Sequence, residues 1–277
     1  MSISKFEADL HCHTIASDGE FLPEKVVELA KKIGLKALAI TDHDTLDGLA
    51  RATQKAKEVG LYLLPGIEIN TDGEGKEVHI LGYGLDENNS FFRQKLRELR
   101  EKRVKRIKQI LKKLNNLGQE LSFEQVLSVA RGDSIGRPHI AQAMVKYGLA
   151  SNFKEVFDKY LKIGAPAYVP REKITPVSAI HLIRQAGGVA VLAHPGREIS
   201  QMEIEQWIEE GLQGIEISHP DHSPQETEKY RQLARKLNLI ATGGSDFHGP
   251  GVKPRVELGQ WGTDLKTIEL IERAMVK

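Results

Sequence analysis

Apolar and polar residues in the first ninety positions alternate between strand-like and helix-like patterns. Period-two alternation predicts a strand over residues 8–13, and a continuous apolar run predicts a buried strand at Ala37–Ile40. Pro23 begins an amphipathic helical pattern that Gly34 ends. Further elements predicted in this region are a helix over 46–59 and strands over 61–69 and 78–81. The repeated order of strand, loop and helix indicates βα units in a parallel sheet or barrel.

Residues 91–164 interrupt this rhythm, because only helical patterns occur there. They predict a long helix over 91–116 and shorter helices near 122–130, 137–147 and 152–162. We interpret 91–164 as an all-helical insertion, a cap subdomain, and assign 1–90 and 165–277 to a barrel domain. Elements predicted after the insertion are helices over 176–185, 204–210, 224–237 and 265–275 and strands over 188–193, 214–217 and 239–242.

Composition narrows the class of protein without naming a function. A formal net charge of +1 excludes a general electrostatic attraction to nucleic acid. Cys12 is the single cysteine, so no intrachain disulfide can form. The N-terminal residues lack a signal-peptide pattern, and no apolar run is long enough to cross a bilayer. We therefore expect a soluble cytoplasmic protein that has no membrane association and no obligate protein partner.

Histidines and carboxylates recur at or near the predicted strands. His11 and His13 are two positions apart, so on a strand both imidazoles would face one side. Comparable positions hold Asp18, Asp42, His43, Glu68, His79, His194, Asp246 and His248. Each alone is compatible with a buried polar residue that has a local partner. Together they favour a shared metal cluster at the end of the barrel where active sites lie.

Several short motifs resemble those of the PHP (polymerase and histidinol phosphatase) family. They are DLHCHT at 9–14, SDG at 17–19, TDHD at 41–44, GIE at 66–68 and SDFH at 245–248. The resemblance spans nearly the whole chain. It implies a distorted (β/α)7 TIM-like barrel with two or three divalent ions, for which manganese, zinc and iron(II) all suit the histidine and carboxylate ligands.

The resemblance also implies how the ions are held. The implied ligand sets are His11, His13, Glu68 and Asp246 for the first ion, Glu68, His79 and His194 for the second, and Asp18, His43 and His248 for the third. Glu68 would bridge two ions, which a carboxylate can do and an imidazole cannot. Glu68, Asp246 and His194 are expected at the catalytic centre, and Asp42 is expected to orient a ligand histidine. The implied chemistry is attack on phosphorus by a hydroxide that bridges two ions.

The chain resembles one subgroup of this family more closely, and residues 134–140, 167–170 and 193–197 carry this resemblance. The subgroup contains nucleoside 3′,5′-bisphosphate phosphatases and 5′→3′ exoribonucleases, which implies a nucleotide or short RNA as substrate. The implied phosphate contacts are Arg137, His139, Arg197 and Tyr168. From the residues alone, Arg137 could equally be a solvated side chain at a helix start. His219 and His222 could line the mouth of the site or cap a loop.

The sequence is also compatible with other functions. Histidinol phosphate phosphatase is the nearest alternative, although its substrate has no second phosphate for Arg137. An amidohydrolase-type barrel also begins with two histidines, and a non-catalytic metal-binding module is an alternative of another class. The helix at 91–115 carries eleven Lys or Arg against two Glu. That face could attract RNA, but without interleaved aromatic residues it is more typical of a solvated helix.

Overall fold

A computed structural model describes residues 4–73, 75–130, 132, 134–170, 174–196 and 199–275. Its seven strands form one sheet, in which their order follows the chain. The strands are β1 (Ala8–Asp9), β2 (Ala37–Ile40), β3 (Tyr62–Gly73), β4 (Lys76–Tyr83), β5 (Val189–Leu192), β6 (Leu212–Ser218) and β7 (Ile240–Gly243). The helices are α1 (Pro23–Lys32), α2 (Leu49–Val59), α3 (Ser90–Asn116), α4 (Phe123–Leu127), α5 (Arg137–Lys146), α6 (Phe153–Val156), α7 (Pro176–Gln185), α8 (Gln201–Glu209), α9 (Pro224–Lys236) and α10 (Leu265–Ala274). A π-helical turn at Phe157–Leu161 follows α6.

Strand β4 runs antiparallel to both neighbours, whereas the other neighbouring strands pair in parallel. Gly73 pairs with Lys76, so β3 and β4 are joined by a two-residue connection. Gly75 in this connection has a φ of 91°, which glycine adopts readily. So short a connection forces an antiparallel hairpin. The prediction of a parallel sheet was therefore wrong for this strand.

The first strand is shorter than the predicted 8–13, because only Ala8–Asp9 pair with β2. Beyond it, the Thr41 hydroxyl accepts a hydrogen bond from the Cys12 backbone N–H at 3.1 Å. The His13 backbone N–H then donates to the Phe247 carbonyl at 2.9 Å. This contact brings the chain after β7 against the chain after β1. The sheet is thus a nearly closed, distorted (β/α)7 TIM-like barrel, as the sequence predicted.

Strand alternation divides the core between the two faces of the barrel. In β2, Leu38 and Ile40 pack in a large cluster with apolar side chains of the helices. Ala37 and Ala39 belong to a separate cluster on the opposite face, together with Tyr83. This second cluster fills the barrel interior, where the Tyr83 hydroxyl donates to the Leu10 carbonyl at 2.8 Å.

Residues between 104 and 169, most of them in the predicted insertion, form a separate apolar cluster, the insertion cluster. Phe92 and Leu96 near the start of α3 instead pack in the large cluster. Helix α3 confirms the predicted long helix, whereas the helix predicted over 152–162 is α6 followed by the π-helical turn. The proposed division of the chain into domains stays a prediction. Across the ranges given above, no helix is both long and apolar enough to cross a membrane.

Candidate metal centre

The nine predicted metal ligands come together at one end of the barrel. Seven of them line a cavity of about 870 Å³, and these are Asp18, His43, Glu68, His79, His194, Asp246 and His248. His11 and His13 lie buried directly beneath, with side chains against Glu68. The expected convergence of these side chains is therefore present in the structure.

Glu68 lies at the centre of this group, on β3, and is 1% exposed. Its Oε2 is 3.2 Å from His11 Nε2 and 3.1 Å from His13 Nε2. Its Oε1 is 2.7 Å from His79 Nδ1 and 3.0 Å from His194 Nε2. The two carboxylate oxygens therefore face two different sets of imidazoles.

The first set is completed by Asp246, which follows β7. Its Oδ1 lies 3.2 Å from His13 Nε2 and 3.6 Å from His11 Nε2. A tetrahedral ion with ligand bonds of about 2.1 Å separates its ligand atoms by about 3.4 Å. The distances from His11 and His13 to Glu68 and Asp246 are therefore close to those between the ligands of one small divalent ion, and the assignment of these four residues to one ion stays a prediction.

The third predicted set lies beside the first. His248 Nε2 is 3.2 Å from Asp18 Oδ1, and His43 Nε2 is 3.8 Å from Asp18 Oδ2. Interatomic distances also place His13 within reach of this set. The same distances group His219 with His11 and Asp246. His219 does not belong to any of the predicted ligand sets.

Several polar atoms in the cluster make no hydrogen bond of acceptable geometry with the described residues, although three of them lie within 3.2 Å of a charged neighbour. They are His11 Nε2, His13 Nε2, His79 Nε2 and Asp18 Oδ1, and all are buried. An unsatisfied buried polar group costs about 1 to 3 kcal/mol. A divalent cation would satisfy such atoms, so the residues present fit a metal centre.

The carboxylates of the cluster are held in their anionic form. Burial by itself raises the pKa of Glu68, Asp246 and Asp18, but neighbouring cationic groups outweigh it and hold each pKa well below its usual range. Neighbouring histidines lower the pKa of Glu68 and of Asp18. For Asp246, the largest lowering of the pKa comes from the charge of Lys253. Three anionic carboxylates among imidazoles form a cluster able to bind metal ions.

Glu216 holds the cluster from below and was missed in the sequence. It is fully buried on β6, and its carboxylate lies 3.0 Å from His11 Nδ1. It also accepts the His194 backbone N–H at 3.0 Å. The sequence nevertheless carries a signal for it, because the segment GIEI at 214–217 repeats the GIEI at 66–69 that contains Glu68. In both, an acid flanked by buried isoleucines requires a partner.

Asp42 lies one contact further from the cluster. Its Oδ1 accepts hydrogen bonds from the Thr14 backbone N–H at 2.8 Å and the Ser17 hydroxyl at 2.6 Å. Ser17 Oγ in turn lies 3.4 Å from His13 Nδ1. The expected orienting role of Asp42 would therefore act on His13 through Ser17, and it stays a prediction.

The helical insertion reaches the centre through Arg103 of α3, a second residue that was missed. Arg103 Nε donates to Asp44 Oδ2 at 2.6 Å. Asp44 Oδ1 accepts the Asn70 backbone N–H at 3.1 Å, and the Asn70 side-chain nitrogen lies 2.9 Å from His43 Nδ1. This chain of contacts connects α3 to His43 of the third set.

The predicted phosphate contacts do not share one location. Arg137, at the start of α5, lines the cavity. His139 is 4% exposed, accepts the Gly136 backbone N–H on Nδ1 at 3.0 Å and lines a separate, smaller cavity. The Tyr168 ring centre lies 5.9 Å from the Arg137 guanidinium carbon, and Arg197 lies outside the described residues. Within those residues, Arg137 is the predicted phosphate contact that the fold brings to the cavity.

The loops after β6 and β7 supply further polar groups. His222 Nδ1 lies 3.1 Å from the Ile217 carbonyl, which agrees with the loop-cap interpretation. His219 accepts the Asp221 backbone N–H on Nδ1, while its Nε2 lies 3.3 Å from Asp246 Oδ2. Lys253 lines the cavity and forms an ion pair with Asp246. Nothing in the sequence distinguished this lysine from a surface one.

Comparison with known proteins gives the chain a family. The PHP domain model matches residues 9–169. The 5′-3′ exoribonuclease Rnm of Escherichia coli is 38% identical over 259 residues, which is 91% of this chain and 88% of that protein. The 3′,5′-nucleoside bisphosphate phosphatase of Chromobacterium violaceum is 35% identical over 256 residues, covering 88% of this chain and 87% of its own length. The crystal structure of a Bifidobacterium adolescentis protein, inferred to be a metal-dependent phosphoesterase, superposes with a TM-score of 0.91 at 34% identity, covering 99% and 98% of the two chains.

These similarities extend over most of the chain, and they agree with the chemistry of the centre. The relatives act on phosphate esters, and the cluster around Glu68 is able to bind the metal ions that such hydrolysis uses. The protein is accordingly a phosphoric ester hydrolase. Motifs, fold and relatives all place the chain in the PHP domain family of metal-dependent phosphoesterases.

Proposed function

We propose that this enzyme hydrolyses the 3′-phosphate ester of nucleotides that also carry a 5′-phosphate. Nucleoside 3′,5′-bisphosphates and short 5′-phosphorylated RNA both meet this description, the second being shortened as by a 5′→3′ exonuclease. The names of the two relatives, an exoribonuclease and a bisphosphate phosphatase, support this choice. The cavity of about 870 Å³ is of a size suited to a nucleotide.

The observation that carries the proposal is the position of Glu68 between two sets of imidazoles, with Arg137 on the wall of the same cavity. Two or three ions of manganese, zinc or iron(II) would be held by the ligand sets given above, with Glu68 shared between the first two. Such ions lower the pKa of water and neutralise charge on the phosphoryl group.

The protein's own residues would fix the substrate relative to this centre. Arg137 donates from Nη2 to both Glu77 carboxylate oxygens at 2.7 Å and from Nη1 to the Leu161 carbonyl at 3.2 Å. These bonds set the position of the guanidinium at the cavity wall. A 5′-phosphate bound there would place the 3′-ester toward Glu68 and Asp246. Arg137 would then bind the 5′-phosphate, and the 3′-ester would be hydrolysed at the metal centre.

Phosphate release from a set of substrates tests the proposal. The enzyme loaded with manganese would be given adenosine 3′,5′-bisphosphate, 3′-AMP, 5′-AMP, histidinol phosphate and a short 5′-phosphorylated RNA. We expect preference for the bisphosphate or the RNA over both monophosphates. Replacing Arg137 with methionine should lower kcat/KM for the bisphosphate by about 10- to 100-fold, with a much smaller effect on 3′-AMP. Equal losses on both substrates would remove the second-phosphate role, and preference for histidinol phosphate would favour that phosphatase instead.

A further inference from the structure

Lys253 lies in the cavity wall beside the proposed metal centre, and the proposed function assigns it no contact with the substrate. It belongs to the loop after β7 and lines the same cavity as Glu68. Its Nζ forms an ion pair with Asp246 Oδ2, while Asp246 Oδ1 faces the imidazoles of His11 and His13. The lysine side chain is 32% exposed, so a ligand in the cavity can reach it.

The loop that carries Lys253 is fixed by hydrogen bonds. The Lys253 backbone N–H donates to the Gly249 carbonyl at 2.9 Å. The Glu20 carboxylate accepts the Gly251 backbone N–H at 2.8 Å, and the Glu20 backbone N–H donates to the His248 carbonyl at 2.8 Å. The backbone at Lys253 is therefore held at a set position relative to the cluster, and mainly the side chain is free to move.

The partner of Lys253 distinguishes it from the other cations that line the cavity in the described ranges. Those cations and their partners are Arg103 with Asp44, Arg137 with Glu77 and Lys154 with Asp158. None of these three carboxylates belongs to a predicted ligand set, so metal binding leaves the pairs intact. Asp246, in contrast, is a predicted metal ligand. A metal ion bound to its carboxylate would compete with Lys253 for the same negative charge and would weaken the ion pair.

We propose that Lys253 binds an oxygen of the phosphate that undergoes hydrolysis, releasing Asp246 to the metal centre. This inference rests on the proposed function for the nature of the substrate. A lysine suits the task because its ammonium is a compact charge on a flexible stem, which can turn from Asp246 to a phosphate oxygen nearby. Arg137 and Lys253 would then bind different phosphates, the arginine the distal one and the lysine the reacting one.

Binding of inorganic phosphate, measured by calorimetry on the manganese-loaded enzyme, tests this role apart from catalysis. The variants are Lys253→Met and Lys253→Gln, with Lys253→Arg as the conservative replacement. Lys266→Met, on the exposed face of α10, is the matched control. We expect the first two to weaken phosphate binding by about 10- to 100-fold, as loss of one charge-assisted hydrogen bond predicts. Lys253→Arg should recover most of the affinity, and manganese content should be unchanged in all variants.

Kinetics provide a second readout. Because every substrate has a reacting phosphate, Lys253→Met should lower kcat/KM for the bisphosphate and for 3′-AMP by similar factors, unlike Arg137→Met. Undiminished phosphate binding by Lys253→Met and Lys253→Gln would overturn the proposal. Loss of manganese in step with loss of phosphate binding would overturn it as well, since Lys253 would then only position Asp246. If the wild-type enzyme binds phosphate through Lys253 but hydrolyses none of the nucleotides, the proposed function fails and this inference stands.

Discussion

Glu216 offers a test of how the buried layer beneath the cluster controls metal binding. Its carboxylate lies 3.0 Å from His11 Nδ1 and accepts the His194 backbone N–H at 3.0 Å. With the proton on Nδ1, the His11 Nε2 atom carries its lone pair toward Glu68 and Asp246, as a metal ligand must. We predict that Glu216→Gln weakens this arrangement, because glutamine has one acceptor oxygen for two donors.

The expected magnitude follows from these two bonds. A hydrogen bond to a charged group contributes about 1.5 to 3 kcal/mol, against about 1 kcal/mol for a neutral one. Loss of the charge therefore costs about 1 kcal/mol for each bond, or about 2 kcal/mol in total. If that loss falls on the metal-bound form, the affinity drops by about 30-fold. This lies within the range of about 10- to 100-fold found when outer partners of metal-binding histidines are removed.

Competition with a chelating dye would measure manganese affinity in wild type and variant, with circular dichroism to verify the fold. Glu210→Gln is the matched control. Its carboxylate lies 2.8 Å from His181 Nε2 in a half-exposed pair away from the cluster, so the same replacement should leave metal affinity unchanged. Metal affinity in Glu216→Gln equal to that of wild type would refute the argument that Glu216 sets the His11 tautomer.

Three further outcomes follow from the structure. Glu68→Gln should release metal, because a single amide oxygen is a poor bridging ligand for two ions. Full metal content by elemental analysis, together with full activity, would contradict the assignment of Glu68 as the bridging ligand. Dialysis against a chelator should abolish phosphate release and manganese should restore it; activity that persists in metal-free protein would contradict the metal requirement. Leu114→Ala, fully buried in the insertion cluster, should lower the free energy of unfolding by about 2 to 5 kcal/mol in urea denaturation, whereas exposed Lys112→Ala should have little effect. A similar stability for both variants would mean that the insertion cluster contributes little to folding.

Local patterns in the sequence were sufficient for most elements of the fold. Strand β2 and helix α7 have the predicted bounds, and α3 differs by one residue from the prediction. Amphipathic periodicity and end signals such as Pro176 act within a few residues, so they can be read without the tertiary structure. The direction of β4 was not readable in the same way, because the two-residue hairpin before it departs from the βα rhythm around it.

The nine residues of the cluster could be identified by sequence because their types and their places near strands are local properties, strengthened by the family resemblance. Tertiary structure alone decided which side chains support or face them. His11 and Glu216 are 205 positions apart, and Arg103 of α3 reaches Asp44 in the loop after β2. Lys253 appears in the sequence as one lysine among many, and only the fixed loop after β7 brings it to Asp246. Residue type thus set the chemistry available to this protein, whereas barrel closure and loop packing determined which of those groups share one cavity, because such contacts depend on distances that no local pattern records.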